Sequence, residues 1–139
     1  MSALVVDASV AAKWFLPEPN APAALRLLDG RRRLAAPDLI HAEIGNIAWK
    51  LHSRGVLDRD EASAMIEHFL SMPLEIHDSM LLLAPALEIA IATRRPVYDS
   101  LYLALAVELG GTVITADERW VKVLADSPFA RFLRLLGAR

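Results

Sequence analysis

Apolar and polar positions change period along this chain in short runs that proline and glycine punctuate. Leu4 to Val6 is a continuous, β-branched apolar run, which predicts a buried strand. Ala8 to Leu16 has helical spacing and is stopped by Pro17 and Pro19. A second helix is predicted from Ala23 to Asp29, closed by Gly30; the basic loop Arg31 to Arg33 follows, then a short strand from Leu34 to Ala36. Pro37-Asp38 opens a long helix that ends near Gly55. Asp58 and Glu61 have the spacing of a capping box and open a helix to about Ser71, and Leu74 to His77 has strand character. Pro85 suits the first turn of a helix running to Arg94, where its missing N–H has no helical partner to lose. Pro96 restarts the chain. A helix from about Tyr98 to Leu109, the pair Gly110-Gly111, a strand from Thr112 to Thr115, a helix from Glu118 to Ala125 and an apolar segment around Phe132 to Leu136 complete the pattern.

Short hydrophobic strands alternating with helices predict an α/β sandwich around a mainly parallel sheet, and such sheets bind ligands outside the carboxyl ends of their strands. The 139 residues, 55% hydrophobic, are enough for one globular domain over residues 1–139 and too apolar for disorder. No membrane span is expected: the longest nearly apolar stretch, Met80 to Ala92, carries Glu88 and Pro85 and is shorter than the ~20 residues a bilayer needs. The first residues lack the basic leader of a signal peptide and their apolar run is broken by Asp7, which predicts a cytoplasmic protein. Cysteine is absent, excluding disulfides, thiolate nucleophiles and thiolate zinc sites. A net charge of −2 removes the broad basic footprint of a nonspecific nucleic-acid coat but leaves local recognition open. Mean hydropathy of +0.34 is high for so small a chain and predicts an apolar partner surface.

Four acids stand in apolar surroundings. Asp7 follows "LVV", Glu43 lies within "LIHAEIGNIAW", Asp99 within "PVYDSLYLALA", and Asp117 follows "TVITA". Asp7, Asp99 and Asp117 each stand at the start of a helix, where capping the free amides for about 1 kcal/mol is explanation enough for any one of them. Glu43 resists that explanation. It falls on or beside the stripe Ile40, Ile44, Ile47 and Leu51, and long acids are rarely buried unless paired, which leaves an ion pair with Lys50 as the structural alternative. Taken together, the acids can converge at one sheet edge, where two carboxylates ~5 Å apart repel by about 3 kcal/mol at an effective dielectric of 20. Raised pKa values or a cation would relieve the repulsion. An all-oxygen donor set favours magnesium or manganese over zinc, and the reaction class that needs such an ion is hydrolysis of a phosphodiester. Ser9, Asn46 and Thr115 are neighbouring polar residues able to hold water or phosphate, with capping and turn roles as the alternative.

At this point the chain resembles the PIN-domain ribonucleases, specifically VapC-type toxins. The resemblance spans "LVVDASVAAKWF", "APDLIHAEIGNIAW" and "PVYDSLYLALAVELGGTVITADERW", with the four acids in the family's order and spacing. It implies a three-layer α/β/α sandwich, magnesium-dependent endoribonuclease activity and a cognate antitoxin that occludes the acidic pocket. Under it Asp7 and Asp99 are direct metal ligands, Asp117 supports the ion directly or through water, and Glu43 aligns or deprotonates the attacking water. A homodimer through apolar helices is expected.

Lys13, Arg94 and Arg95 are candidate RNA contacts, whereas Arg31, Arg32 and Arg33 read more simply as a solvated loop. The four histidines lack metal spacing, the glycines form no nucleotide-binding loop, and Trp14, Trp49 and Trp120 lie in apolar helical stretches that predict packing. Gly45, costly inside a helix, suggests close approach of another backbone. Two rival functions stay open: a phosphatase or phosphotransfer domain with Asp7 as nucleophile, for which Ser9 stands where a second aspartate is usual, and a non-catalytic protein-binding module whose acids only cap helices.

Overall fold

The computed structural model describes residues 2–138. Five strands, β1 (Ala3–Val6), β2 (Arg33–Pro37), β3 (Glu75–His77), β4 (Thr112–Thr115) and β5 (Leu133–Leu135), form one sheet in the order β3-β2-β1-β4-β5, and every neighbouring pair is parallel. The central strand β1 is buried along its whole length, as a parallel strand covered on both faces must be. Its register sets Val5 beside Ala35 of β2 and Val113 of β4. Gly111, just before β4, permits that pairing: a Cβ there would stand 2.1 Å from the carbonyl oxygen of Ala3.

Helices cover the sheet in the three-layer α/β/α arrangement. They are α1 (Ala8–Ala11), α2 (Ala21–Arg26), α3 (Leu39–Ser53), α4 (Arg59–Leu70), α5 (Ser79–Thr93), α6 (Val97–Leu109) and α7 (Glu118–Leu124). The helix α6 touches β1, β2 and β4 and also packs against α5. Lying between layers, it is buried continuously from Ser100 to Ala106, which accounts for its apolar character on every side. The capping box at Asp58 is formed in both directions, Glu61 N–H to Asp58 Oδ1 at 2.8 Å and Asp58 N–H to Glu61 Oε1 at 2.9 Å.

Several elements differ from the sequence pattern. The first helix gives way after Ala11 to a 3₁₀ turn, Ala12–Trp14, and the Trp14 indole donates to the Ala24 carbonyl at 2.9 Å, tying the turn to α2. α2 starts at Ala21, with Pro22 in its first turn. α5 begins at Ser79, capped by Asp78, so Pro85 lies inside the helix and not in its first turn. Pro85 is exposed, which lets water replace the donor that its ring removes. Gly45 receives no close backbone: nothing among the described residues lies within 4 Å of a Cβ built there. Trp14 and Trp120 are core residues as the pattern predicts, but Trp49 is 60% exposed on α3. Among the described residues no helix is long and apolar enough to cross a membrane.

Candidate active site

Pairing of Val6 with Ile114 carries β1 and β4 out of the sheet side by side, so Asp7 emerges next to Thr115. Asp7 is 8% exposed, and its carboxylate is held by three donors: Ser9 Oγ at 2.6 Å and Val10 N at 3.1 Å on Oδ1, and Thr115 Oγ1 at 2.5 Å on Oδ2. The two hydroxyls also accept from the neighbouring loop, Ser9 Oγ from Ala116 N at 3.0 Å and Thr115 Oγ1 from Asp117 N at 3.1 Å. Ser9 and Thr115 therefore fasten the start of α1 to the loop after β4 while orienting Asp7.

Asp7 and Asp117 do cap helices, accepting from Val10 N and Trp120 N respectively. Capping is nevertheless not all they do, since both also line one cleft. Asp99 is no cap: Pro96 holds that position, and Asp99 sits inside the first turn of α6. The cleft has a volume of about 320 Å³ and is lined by Asp7, Ala8, Ser9, Glu43, Asn46, Ile47, Lys50, Asp99, Tyr102, Asp117 and Trp120. All four acids singled out from the sequence thus meet in one place, together with Ser9 and Asn46; Thr115 stands directly behind Asp7.

Burial dominates the electrostatics of the two deeper acids. Loss of hydration lifts the Asp7 pKa from 3.8 to about 6, with a smaller push from the Asp99 charge, against the three hydrogen bonds that favour the ionised form. Glu43 is likewise raised by burial, then by Asp7 and Asp99, and is restrained by a hydrogen bond from the Tyr102 hydroxyl at 2.5 Å. Burial pushes the Tyr102 phenol well above its ordinary range, with the adjacent Glu43 charge adding to it, so Tyr102 stays a proton donor. This partner replaces the ion pair with Lys50 considered above: Lys50 lines the cleft but makes no salt bridge to Glu43. Tyr102 was readable in principle, because it lies one helical turn after Asp99 and shares its face.

The basic candidates are placed less uniformly. Lys13 is buried away from the cleft, bound to Glu18 at 3.3 Å and to the Pro19 carbonyl at 2.9 Å, so it is not available to a phosphate in the cleft. Arg95 is at the cleft as the partner of the outer acids, with Nη2 2.7 Å from Asp99 Oδ2 and 3.9 Å from Asp117 Oδ2. Arg94 is exposed in the same linker, in a left-handed conformation with φ of 57°. Arg33 of the basic loop is paired with Glu75 at 2.8 Å.

Among the described residues no three His, Cys, Asp or Glu side chains stand close enough to share an ion. The donor chemistry nonetheless fits a hard divalent cation: four carboxylates face one cleft, sulfur is absent, and the inner two, Asp7 and Glu43, have no cationic side chain within 4 Å among the described residues. Asp7, Asp99 and Asp117 line that cleft together, with the outer two facing Arg95.

Comparison with known proteins agrees with this arrangement. The family model for the PIN domain matches residues 4–125. Ribonuclease VapC3 of Pyrobaculum aerophilum is 36% identical over 118 residues, covering 84% of this chain and 90% of that protein. Among solved structures, PAE2754 from Pyrobaculum aerophilum superposes with a TM-score of 0.68 at 25% identity, over 93% of this chain and 82% of that one. A toxin–antitoxin complex from Klebsiella pneumoniae gives 0.67 at 18% identity over 96% of both chains, a likeness of fold. The chain belongs to the PIN-domain family, among its VapC-type members.

Proposed function

We propose that this protein is a divalent-metal-dependent endoribonuclease that hydrolyses RNA phosphodiester bonds, and that it acts as the toxin of a toxin–antitoxin pair. The observation that carries the reading is the shared cleft: a buried Asp7 carboxylate lines it together with Glu43, Asp99 and Asp117, and among the described residues neither of the two deep acids is paired with a cation. Asp7 and Asp99 hold the ion, magnesium or manganese, with Asp117 supporting it. When bound, the ion lowers the charge of a phosphoryl oxygen and makes a water more acidic. Ser9, Thr115 and the Val10 amide fix both oxygens of Asp7, so the ligand is oriented before anything binds.

Glu43 takes the proton of the attacking water. Its raised pKa brings it toward the operating pH, and Tyr102 directs its other oxygen into the cleft by donating to Oε1. Asn46, on the cleft lining, offers an amide to the phosphate, and Arg94, exposed in the linker before α6, a positive charge to the RNA backbone. An antitoxin that occludes the cleft would block all of these groups; that the Klebsiella neighbour is a toxin–antitoxin complex supports an antitoxin as partner. A homodimer uses the apolar stripe of α5, where Met80, Leu83, Leu87 and Ile91 are exposed at helical spacing.

Purified protein incubated with RNA, with and without a chelator, tests the reading. Cleavage is expected only with magnesium or manganese, and lost in Asp7→Asn and Asp99→Asn. Undiminished cleavage in chelator, or by both variants, would refute it.

A further inference from the structure

We propose that Arg95 is the resident counter-cation of the cleft mouth, and that a divalent ion entering the cleft must displace its guanidinium from Asp99 and Asp117. The inference rests on the reading that the cleft takes such an ion. It starts from an asymmetry among the four acids. Asp7 and Glu43, the deeper pair, have no cation within 4 Å among the described residues, whereas Asp99 and Asp117, the more exposed pair, both face Arg95. Lys50 lines the same cleft yet pairs with none of them.

The Arg95 side chain is held in place. Its side chain is only 20% exposed, and it lies between Arg94, in the left-handed region, and Pro96, whose ring fixes φ at −56°. Four residues before Asp99, it reaches that carboxylate across one helical turn, with Nη2 at 2.7 Å and Nε at 3.3 Å from the same oxygen, Oδ2. Two donors on one oxygen, with Asp117 Oδ2 3.9 Å from the same Nη2, set the positive charge beside both outer acids. A doubly charged ion drawing on Asp7, Asp99 and Asp117 needs that same space, and like charges at contact distance repel too strongly to share it. The guanidinium carbon also lies 5.9 Å from the centre of the Trp120 ring, a cation–π contact that does not depend on either carboxylate. Arg95 thus competes with the metal when the cleft is empty of substrate and is set free on the cleft rim when the metal is in.

Two measurements on the chelator-treated full chain test this. In ¹⁵N-resolved NMR, the Arg95 Nε–H signal, assigned from its loss in Arg95→Gln, should be protected and shifted in the metal-free protein and should move to the position of an unpaired arginine on titration with magnesium. In calorimetric titration with manganese, Arg95→Gln should bind about fivefold more tightly, the effect of removing one competing, partly exposed ion pair. Arg94→Gln removes the same charge from the adjacent residue, which makes no salt bridge among the described residues, and should change affinity less than twofold. The proposal falls if manganese binds in an Asp99-dependent way while the Arg95 signal stays put, or if the Arg94 and Arg95 variants gain affinity equally; the metal-dependent reading would survive either result. No manganese binding by any of the three proteins would overturn both.

Discussion

Asp7→Asn should make the metal-free protein less stable than wild type at pH 4 and more stable at pH 7.5. The folded state raises the Asp7 pKa from 3.8 to about 6, so between these values it holds a proton that the unfolded chain has released. Stability from this group is fully present below pH 3.8 and is lost as pH rises through 6; ionised Asp7 then costs the fold about 3 kcal/mol at neutral pH. Asparagine removes that cost and keeps an acceptor for the Ser9 hydroxyl and the Val10 amide. Its amide nitrogen, however, takes the place of the oxygen that accepts from Thr115, a loss of about 1 kcal/mol. The variant should therefore gain about 2 kcal/mol over wild type at pH 7.5 and lose about 1 kcal/mol at pH 4. Glu43, also raised by burial and by Asp7, strengthens the trend, since removing the Asp7 charge relieves it. Urea unfolding in chelator at pH 4, 5, 6 and 7.5 measures the difference. Magnesium at a hundredfold excess over Kd should then return about 2.7 kcal/mol to wild type and little to the variant. A difference independent of pH, or one that moves toward wild type as pH rises, would refute the assignment of Asp7 as a carboxylate buried at energetic cost.

Three further outcomes follow from the geometry. Tyr102→Phe removes the donor that favours ionised Glu43, so the Glu43 pKa rises further and RNA cleavage should fall roughly tenfold at pH 6 but much less at pH 8, measured as a pH–rate profile. Gly111→Ala would drive a methyl into the Ala3 carbonyl at the start of the central strand pair and should cost about 3 kcal/mol or more in urea unfolding. Leu87→Glu on the exposed stripe of α5 should leave the monomer folded, by circular dichroism, and shift sedimentation from dimer to monomer.

Where one residue's chemistry decides the local structure, the sequence is readable; where a distant partner decides, it is not. The Asp58–Glu61 box, the apolar strand at Leu4 to Val6 and the Thr112–Thr115 strand all follow from neighbours a few residues away. The four acids were visible because their surroundings are apolar, which is a local property too. The start of α5 is marked only by its Asp78 cap: the helix is apolar on every side, so no period marks the boundary, and Pro85 suits a first turn as well as the exposed interior position it takes. Trp49 misleads for the same reason, since composition around a residue says nothing about which side of α3 it takes. Arg95 lies four residues before Asp99, a spacing open to inspection, yet whether such an arginine turns to its own helix or to a substrate depends on Asp117 closing the other side.

The strand order explains why the buried acid sits where it does. The chain builds β1, β2 and β3 outward to one side and then crosses back to lay β4 and β5 on the other, so β1 and β4 are neighbours separated by more than a hundred positions of sequence. Crevices open at such reversals, outside the carboxyl ends of the strands. A strand buried on both faces can carry no charge within the sheet, and Asp7 is the first position beyond it; Thr115, its hydrogen-bond donor, is the last residue of the facing strand. Because side chains alternate between faces, sliding β4 by one residue against β1 would turn Thr115 away from Asp7 and leave a buried carboxylate short of a donor. The pairing that Gly111 allows at the far end of the two strands therefore governs the carboxylate at the near end. A side chain at position 111 that shifts this register should disturb cleavage even where the protein still folds.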